Sequence, residues 1–164
     1  MRKIPFSPPD ITEEEISAVC DTLRSGWITT GPKTKQFEKE ITAFCGSAGA
    51  ACLSSATAAL ECTLRILGIG DGDEVIVPAY TYTASASVIH HVGAKIVMCD
   101  TKKDSFFLDC DKLADLITEK TKAIIPVDIA GKMSDFDRIF EICDQKKALF
   151  KPNNDIQRAF GRVI

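Results

Sequence analysis

The sequence lacks any apolar run near the roughly 20 residues that a membrane-spanning helix needs. Its first ten residues, MRKIPFSPPD, also lack the apolar middle of a signal peptide. Both absences argue against a membrane segment or export, and a cytoplasmic protein is the expectation. Positive charge is not concentrated anywhere: the net charge is −3 over 164 residues, with lysines and arginines scattered among acids. No basic stripe suggests a nucleic-acid partner. Histidine is scarce, with two residues in all, His90 and His91, whose adjacency points them in different directions on a helix and makes them a poor metal pair. The chain has seven cysteines, but no two stand at C-x-x-C spacing. Neither a zinc knuckle nor a redox pair follows, and no metal site is expected. Most of them sit in apolar patterns and read as small buried hydrophobes in a reducing compartment.

What remains is ordinary globular composition, 45% hydrophobic and 26% charged, long enough for a domain with a real core. Residues 1–46 read as a helical segment with a loop. ITEEEISAVCDTLRSGW opens a helix through a Thr12–Glu15 capping box, with Ile16, Val19, Cys20 and Leu23 at helical spacing until Gly26. The loop SGWITTGP follows, then a helix with Phe37, Ile41 and Phe44 on one face that stops at Gly46.

From residue 47 to 164 the pattern alternates. Ala50–Leu53 is a short apolar run in strand position, followed by the small-residue loop SSAT and a helix bearing Leu60, Leu64 and Leu67. EVIVP, AKIVMCD and KAIIPVD read as buried strands. Between them lie a helix through Val88 and Ile89 that ends at Gly93 and an amphipathic helix over DCDKLADLITEKT. Ser134 is the expected cap of a further helix with Phe136, Ile139, Phe140 and Cys143. The alternation predicts an α/β fold, with a mainly parallel sheet covered by helices on both faces. After a polar loop, KPNNDIQRAFG, Val163-Ile164 resembles the first pair of another strand, and a fragment of a longer protein is the expectation.

In such sheets ligands sit beyond the carboxyl ends of the strands. The loops SSAT, AYTYT and DIAG all fall there. A helix beginning near Thr57 offers free N–H groups and about half a positive charge. Ala56 leaves its backbone bare, and Ser55 and Thr57 add hydroxyls, so Ser55–Thr57 form a candidate phosphate seat. The plain alternative is that Ser55 or Thr57 only caps the helix. The tyrosines of AYTYT could supply a flat surface for an aromatic ring, although one of them could equally fill the core. A phosphorylated heterocycle would suit both features. The pattern does not choose among flavin mononucleotide, pyridoxal phosphate and a nucleotide.

IPFSPPDITEEEI, SGWITTGPKTKQFEKE, LSSATAALE, GDGDEVIVPAYTYTASASVI and KAIIPVDIAGKMSDFD, in this order, resemble the N-terminal part of the DegT/DnrJ/EryC1/StrS family. The resemblance covers residues 4–164. It implies a partial large domain of aminotransferase fold type I, pyridoxal phosphate as cofactor, a nucleotide-linked keto sugar as amino acceptor, glutamate as the usual donor, and a homodimer. Carried over by position, Ala56 and Thr57 match the family's phosphate-binding pair, and Tyr82 takes the place of the residue that stacks on the pyridine ring. Trp27, Thr29 and Thr30 belong to the loop near the sugar site and the dimer contact. Asp128 stands where some relatives have histidine, and it could simply hold its loop. The resemblance places the family's Schiff-base lysine, and its acid for the pyridine nitrogen, beyond Ile164. The 164 residues alone are therefore expected to be inactive. Two other classes remain open: a non-catalytic nucleotide-sugar-binding, dimerisation or regulatory module, and a pyridoxal-phosphate-dependent sugar dehydratase of the same family.

Overall fold

The computed structural model describes residues 4–5 and 7–164; residues 1–3 and 6, part of the MRKIPFSPPD segment read above, lie outside them. The chain divides into two compact units, one reaching Cys52 and the other running from Leu53 to Ile164. The division falls a few residues after the Gly46 boundary expected from sequence.

The first unit holds two helices. Helix α1, Glu13–Arg24, starts on the expected capping box: the Thr12 hydroxyl accepts from the Glu14 amide, and the Thr12 amide donates to Glu15 Oε2 at 2.6 Å. Helix α2, Pro32–Cys45, begins with proline at its first turn, where the missing N–H costs nothing. It ends at Gly46, whose φ of 62° favours glycine. The apolar stripes predicted for both helices are present, but neither helix buries a residue. Phe44 is 88% exposed. A unit of two helices offers no third layer to close over these faces.

The second unit carries α3 (Ala56–Ile66), β1 (Glu74–Pro78), α4 (Thr83–His91), β2 (Lys95–Cys99), α5 (Cys110–Leu116), β3 (Thr121–Ile124), α6 (Phe136–Gln145) and α7 (Asp155–Phe160). The strands pair in parallel in the order β2-β1-β3. Strand β1 is buried throughout, as its uninterrupted EVIVP run requires. Val75 and Val77 face α3 and α4, packing with Leu64, Leu67, Val88 and Ile89. Ile76 faces the opposite side, with Leu113, Ile117, Ile139, Ile142 and Cys143. The sheet is thus covered on both faces, as the alternating pattern predicts.

Four details depart from the sequence expectation. Ala50–Leu53 forms no strand; its alanines carry weak strand preference, and its Cys52 amide donates to Glu38 Oε1 instead of a ladder carbonyl. Ser134 does not cap α6: Asp135 does, accepting from the Arg138 amide at 3.1 Å, while the Ser134 hydroxyl turns back to the Val127 carbonyl. The polar stretch after residue 150 contains α7, capped by Asn154. Its Gln157 is fully buried, donating to the Leu67 carbonyl and accepting from the Asn153 amide. Finally, only Cys99 and Cys143 of the seven cysteines are buried, and Cys45 and Cys52 are exposed.

The end of the chain behaves as its sequence suggests. Ile164 donates to the Lys122 carbonyl at 3.0 Å and accepts from the Ile124 amide at 2.8 Å, the hydrogen bonding of a parallel pair beside β3.

Candidate functional site

Four residues, 79–82, separate the end of β1 from the start of α4, so the N-terminus of α4 lies at the carboxyl edge of the sheet. Helix α3 runs beside it in the same direction, because their far ends are clamped together. There the Arg65 guanidinium donates to the His91 carbonyl at 3.3 Å, and Glu61 Oε2 lies 2.9 Å from His91 Nδ1. Arg65 first and His91 second hold the Glu61 carboxyl below its ordinary range. With their C-terminal parts tied together, α3 and α4 both start toward the carboxyl edge of the sheet, α3 after Ser55 and α4 after Tyr82.

At the start of α3 the two alternatives for Ser55 prove compatible. Its hydroxyl accepts from the Ala58 amide at 3.0 Å, and its carbonyl accepts from the Ala59 amide at 3.0 Å. Ser55 is thus a true cap. The cap uses the third and fourth amides of the helix and leaves the first two, on Ala56 and Thr57, without a partner among the described residues. Ala56 is exposed and Thr57 half-buried. A pair of adjacent amides at the positive end of a helix dipole, flanked by the Thr57 hydroxyl, is a surface suited to a phosphate.

The AYTYT loop is held at three points. The Ala79 amide donates to the Cys99 carbonyl at 2.7 Å, tying it to the end of β2. The Thr81 hydroxyl donates to that of buried Ser85 at 2.8 Å. The Tyr80 ring lies against Phe106, with centroids 5.1 Å apart. Tyr82 is the N-cap residue of α4 but makes no side-chain capping bond, and it is 83% exposed. The two tyrosines thus divide their roles: Tyr80 is committed within the protein, and the Tyr82 ring is presented bare.

Beyond β3, Asp128 holds the DIAG loop. Its Oδ1 accepts from the Ser134 amide at 2.8 Å, and its carbonyl accepts from Gly131. Ala130 within that turn has φ 54°, a left-handed conformation uncommon for a residue with a Cβ.

Trp27, Thr29 and Thr30 belong to the first unit. Trp27 Nε1 donates to the Thr30 carbonyl at 3.1 Å, closing the loop on itself. A Cβ on Gly31 would overlap the indole ring, so glycine is required there by contact rather than by backbone angle. Thr29 and Thr30 are exposed. Among the described residues no group of three metal-ligating side chains stands together, and no helix is long and apolar enough to cross a membrane.

Phe106 escaped the sequence reading. The available signal was its place in a loop directly after a strand, the position shared by AYTYT.

A three-stranded parallel sheet with helices packed on both faces defines the class, an α/β domain. The sequence profile of the DegT/DnrJ/EryC1/StrS aminotransferase family matches residues 9–161, and the chain belongs to that family. It is 46% identical over 144 residues to UDP-4-amino-4-deoxy-L-arabinose–oxoglutarate aminotransferase from Shewanella sediminis, covering 88% of this chain and 37% of that protein. It is 43% identical to the spore coat polysaccharide biosynthesis protein SpsC of Bacillus subtilis, covering 90% of this chain and 38% of SpsC. Among solved structures, the PMP form of Spr1654 from Streptococcus pneumoniae, a candidate sugar aminotransferase, superposes with a TM-score of 0.97 at 56% identity, over 99% of this chain and 41% of that one. The PLP form of the same protein also superposes with a TM-score of 0.97. The chain spans about two fifths of the length of these relatives.

Proposed function

We propose that these residues form the phosphate-and-ring side of the cofactor site in a pyridoxal-phosphate-dependent sugar aminotransferase. The enzyme would move an amino group from glutamate to a nucleotide-linked keto sugar, as a cytoplasmic homodimer. The observation that carries this reading is the pair of unpartnered amides on Ala56 and Thr57, at the same sheet edge as the bare Tyr82 ring. The names of the relatives support the sugar and the transferred amino group.

In this reading the Ala56 and Thr57 amides, with the hydroxyls of Thr57 and Ser55, hold the phosphate. Tyr82 lies against the pyridine ring and shields one face from water. Trp27, Thr29 and Thr30 serve the sugar side or the subunit contact. The cofactor, when bound, supplies the electron sink that amino transfer needs. In this reading the Schiff-base lysine and the acid beside the ring nitrogen are assigned to none of the described residues, and the 164 residues are proposed to bind the cofactor without turning over.

The test is a titration of the chain with pyridoxamine 5′-phosphate, which cannot form imines with surface lysines, against pyridoxamine without the phosphate. The expected result is saturable binding of the phosphorylated compound, competition by inorganic phosphate, and at least tenfold weaker binding of the other. Equal affinity for both compounds, or binding of neither, rejects the reading.

A further inference from the structure

Phe106 sits on a tight turn that follows β2. Thr101 and Leu108 form an antiparallel bridge, the Lys102 amide donates to the Phe107 carbonyl, and the Ser105 amide donates to the Lys102 carbonyl, both at 3.0 Å. Asp104 supplies the left-handed corner with φ 58°, a conformation aspartate tolerates better than most residues. Leu108, at 6% exposure, anchors the turn in the core. The two phenylalanines at its tip reach in different directions. Phe107 lies under the Lys132 ammonium, 5.4 Å from its ring centre, and Phe106 meets Tyr80 in a tilted ring pair at 35°.

Phe106 is 58% exposed, so the core does not explain its place. Among the described residues its ring partner is Tyr80, two residues before Tyr82. The other ties on that loop act at Ala79 and Thr81. Without Phe106 the Tyr80 ring, 55% exposed, would lose the aromatic neighbour it has among the described residues, and the loop would lose that side-chain tie. Two tyrosines free to move on one short loop could then compete for the same flat ligand.

We propose that Phe106 is a positioning residue: by stacking on Tyr80 it fixes the Tyr80–Tyr82 loop so that Tyr82 alone faces the cofactor ring. The proposal rests on the cofactor assignment given above. It goes beyond that assignment by placing a determinant of ring binding on the β2 turn, outside both loops that touch the ligand.

The chain has only two tyrosines, so 3-fluorotyrosine labelling gives one fluorine resonance for Tyr80 and one for Tyr82. In the unmodified chain, pyridoxamine 5′-phosphate should move the Tyr82 resonance and leave that of Tyr80 nearly in place. Phe106→Ala should shift the Tyr80 resonance toward a free ring, weaken binding about threefold to tenfold, the range of one aromatic pair, and spread the ligand-induced shift over both tyrosines. Phe106→Tyr, which keeps the ring plane, should restore the original pattern. Phe106→Leu, which keeps apolar bulk without the plane, should resemble Phe106→Ala while retaining the fold. Unchanged affinity and an unchanged Tyr82 shift in both Phe106→Ala and Phe106→Leu overturn the proposal and leave the cofactor assignment standing. If the ligand moves neither resonance in the unmodified chain, the cofactor assignment itself fails, and the proposal with it. That failure is read before any variant is made.

Discussion

The Ser55 hydroxyl accepts the Ala58 amide at 3.0 Å, and this bond decides which amides of α3 stay available. A cap that reaches the third residue of a helix satisfies that donor and leaves the first two pointing outward. Capping and anion binding are therefore not rivals at this helix start. The cap fixes the turn, and the turn presents Ala56 and Thr57. A phosphate there would take up donors that otherwise face solvent.

The two roles of Ser55 can be separated by substitution. Ser55→Ala removes the cap and should cost about 1 kcal/mol of stability; it also removes one of the two hydroxyls that hold the phosphate, so affinity for pyridoxamine 5′-phosphate should fall by about threefold, the loss of one neutral hydrogen bond. Ser55→Asp keeps a capping oxygen and adds a charge that suits the helix dipole, so stability should hold. The same charge repels a phosphate, and affinity should fall more than tenfold. Urea midpoints and a binding titration on the two variants check this crossed pattern; the same pair of losses in both variants would reject it.

Tyr82 and Tyr80 should also respond in opposite ways. Tyr82 is 83% exposed and makes no capping bond, so Tyr82→Ala should change stability by less than about 0.5 kcal/mol. It should weaken cofactor binding several-fold. Tyr80→Ala breaks the pair with Phe106 and should cost about 0.5–1.5 kcal/mol. Thermal denaturation of each variant, with and without pyridoxamine 5′-phosphate, distinguishes them.

How much of this was legible in the sequence depended on whether the determinant was local. The capping box at Thr12, the all-buried EVIVP strand and the end of α2 at Gly46 are written within a few residues, and each is found as read. The Ser55–Thr57 start was legible because small residues and hydroxyls cluster there. Helix α7 was not: Gln157 reads as a surface residue until its amide meets the Leu67 carbonyl, 90 positions away. The choice of Asp135 over Ser134 as cap was ambiguous because both side chains can do the work. The Tyr80–Phe106 pair depends on two adjacent strands bringing their following loops together, and neither loop alone names its partner.

The polar anchor of α7 predicts a large local cost. Gln157 donates to the Leu67 carbonyl and accepts from the Asn153 amide, at 2.8 and 2.9 Å. Asn153 in turn donates to both oxygens of buried Asp73. Gln157→Leu conserves volume but strips the Asn153 amide of its acceptor. Asn153 itself is exposed, so the cost is that of the two neutral hydrogen bonds lost, about 1–3 kcal/mol together. A urea midpoint indistinguishable from that of the unmodified chain would show that α7 does not need this anchor.

Stability should also fall in acid, and Glu74 locates part of the effect. This nearly buried carboxylate accepts from Lys95 Nζ at 2.8 Å and from the Thr118 hydroxyl at 2.7 Å. The Lys95 bond is the main cause that holds its carboxyl below the ordinary 4.5, against the opposing effect of burial. Because the folded state prefers the ionised form, the stabilisation is complete above the unfolded value and is lost as pH falls through the lower folded one. Glu15, Glu61 and Asp100 are shifted the same way, but they lie at the surface, where solvent screens them. Glu74→Gln should therefore be less stable than the unmodified chain near pH 7, and the gap should narrow once pH drops below about 4.5. Urea midpoints for the two proteins across that range give the answer: a constant gap would mean that the carboxamide fails by shape, and that the charge on Glu74 contributes nothing.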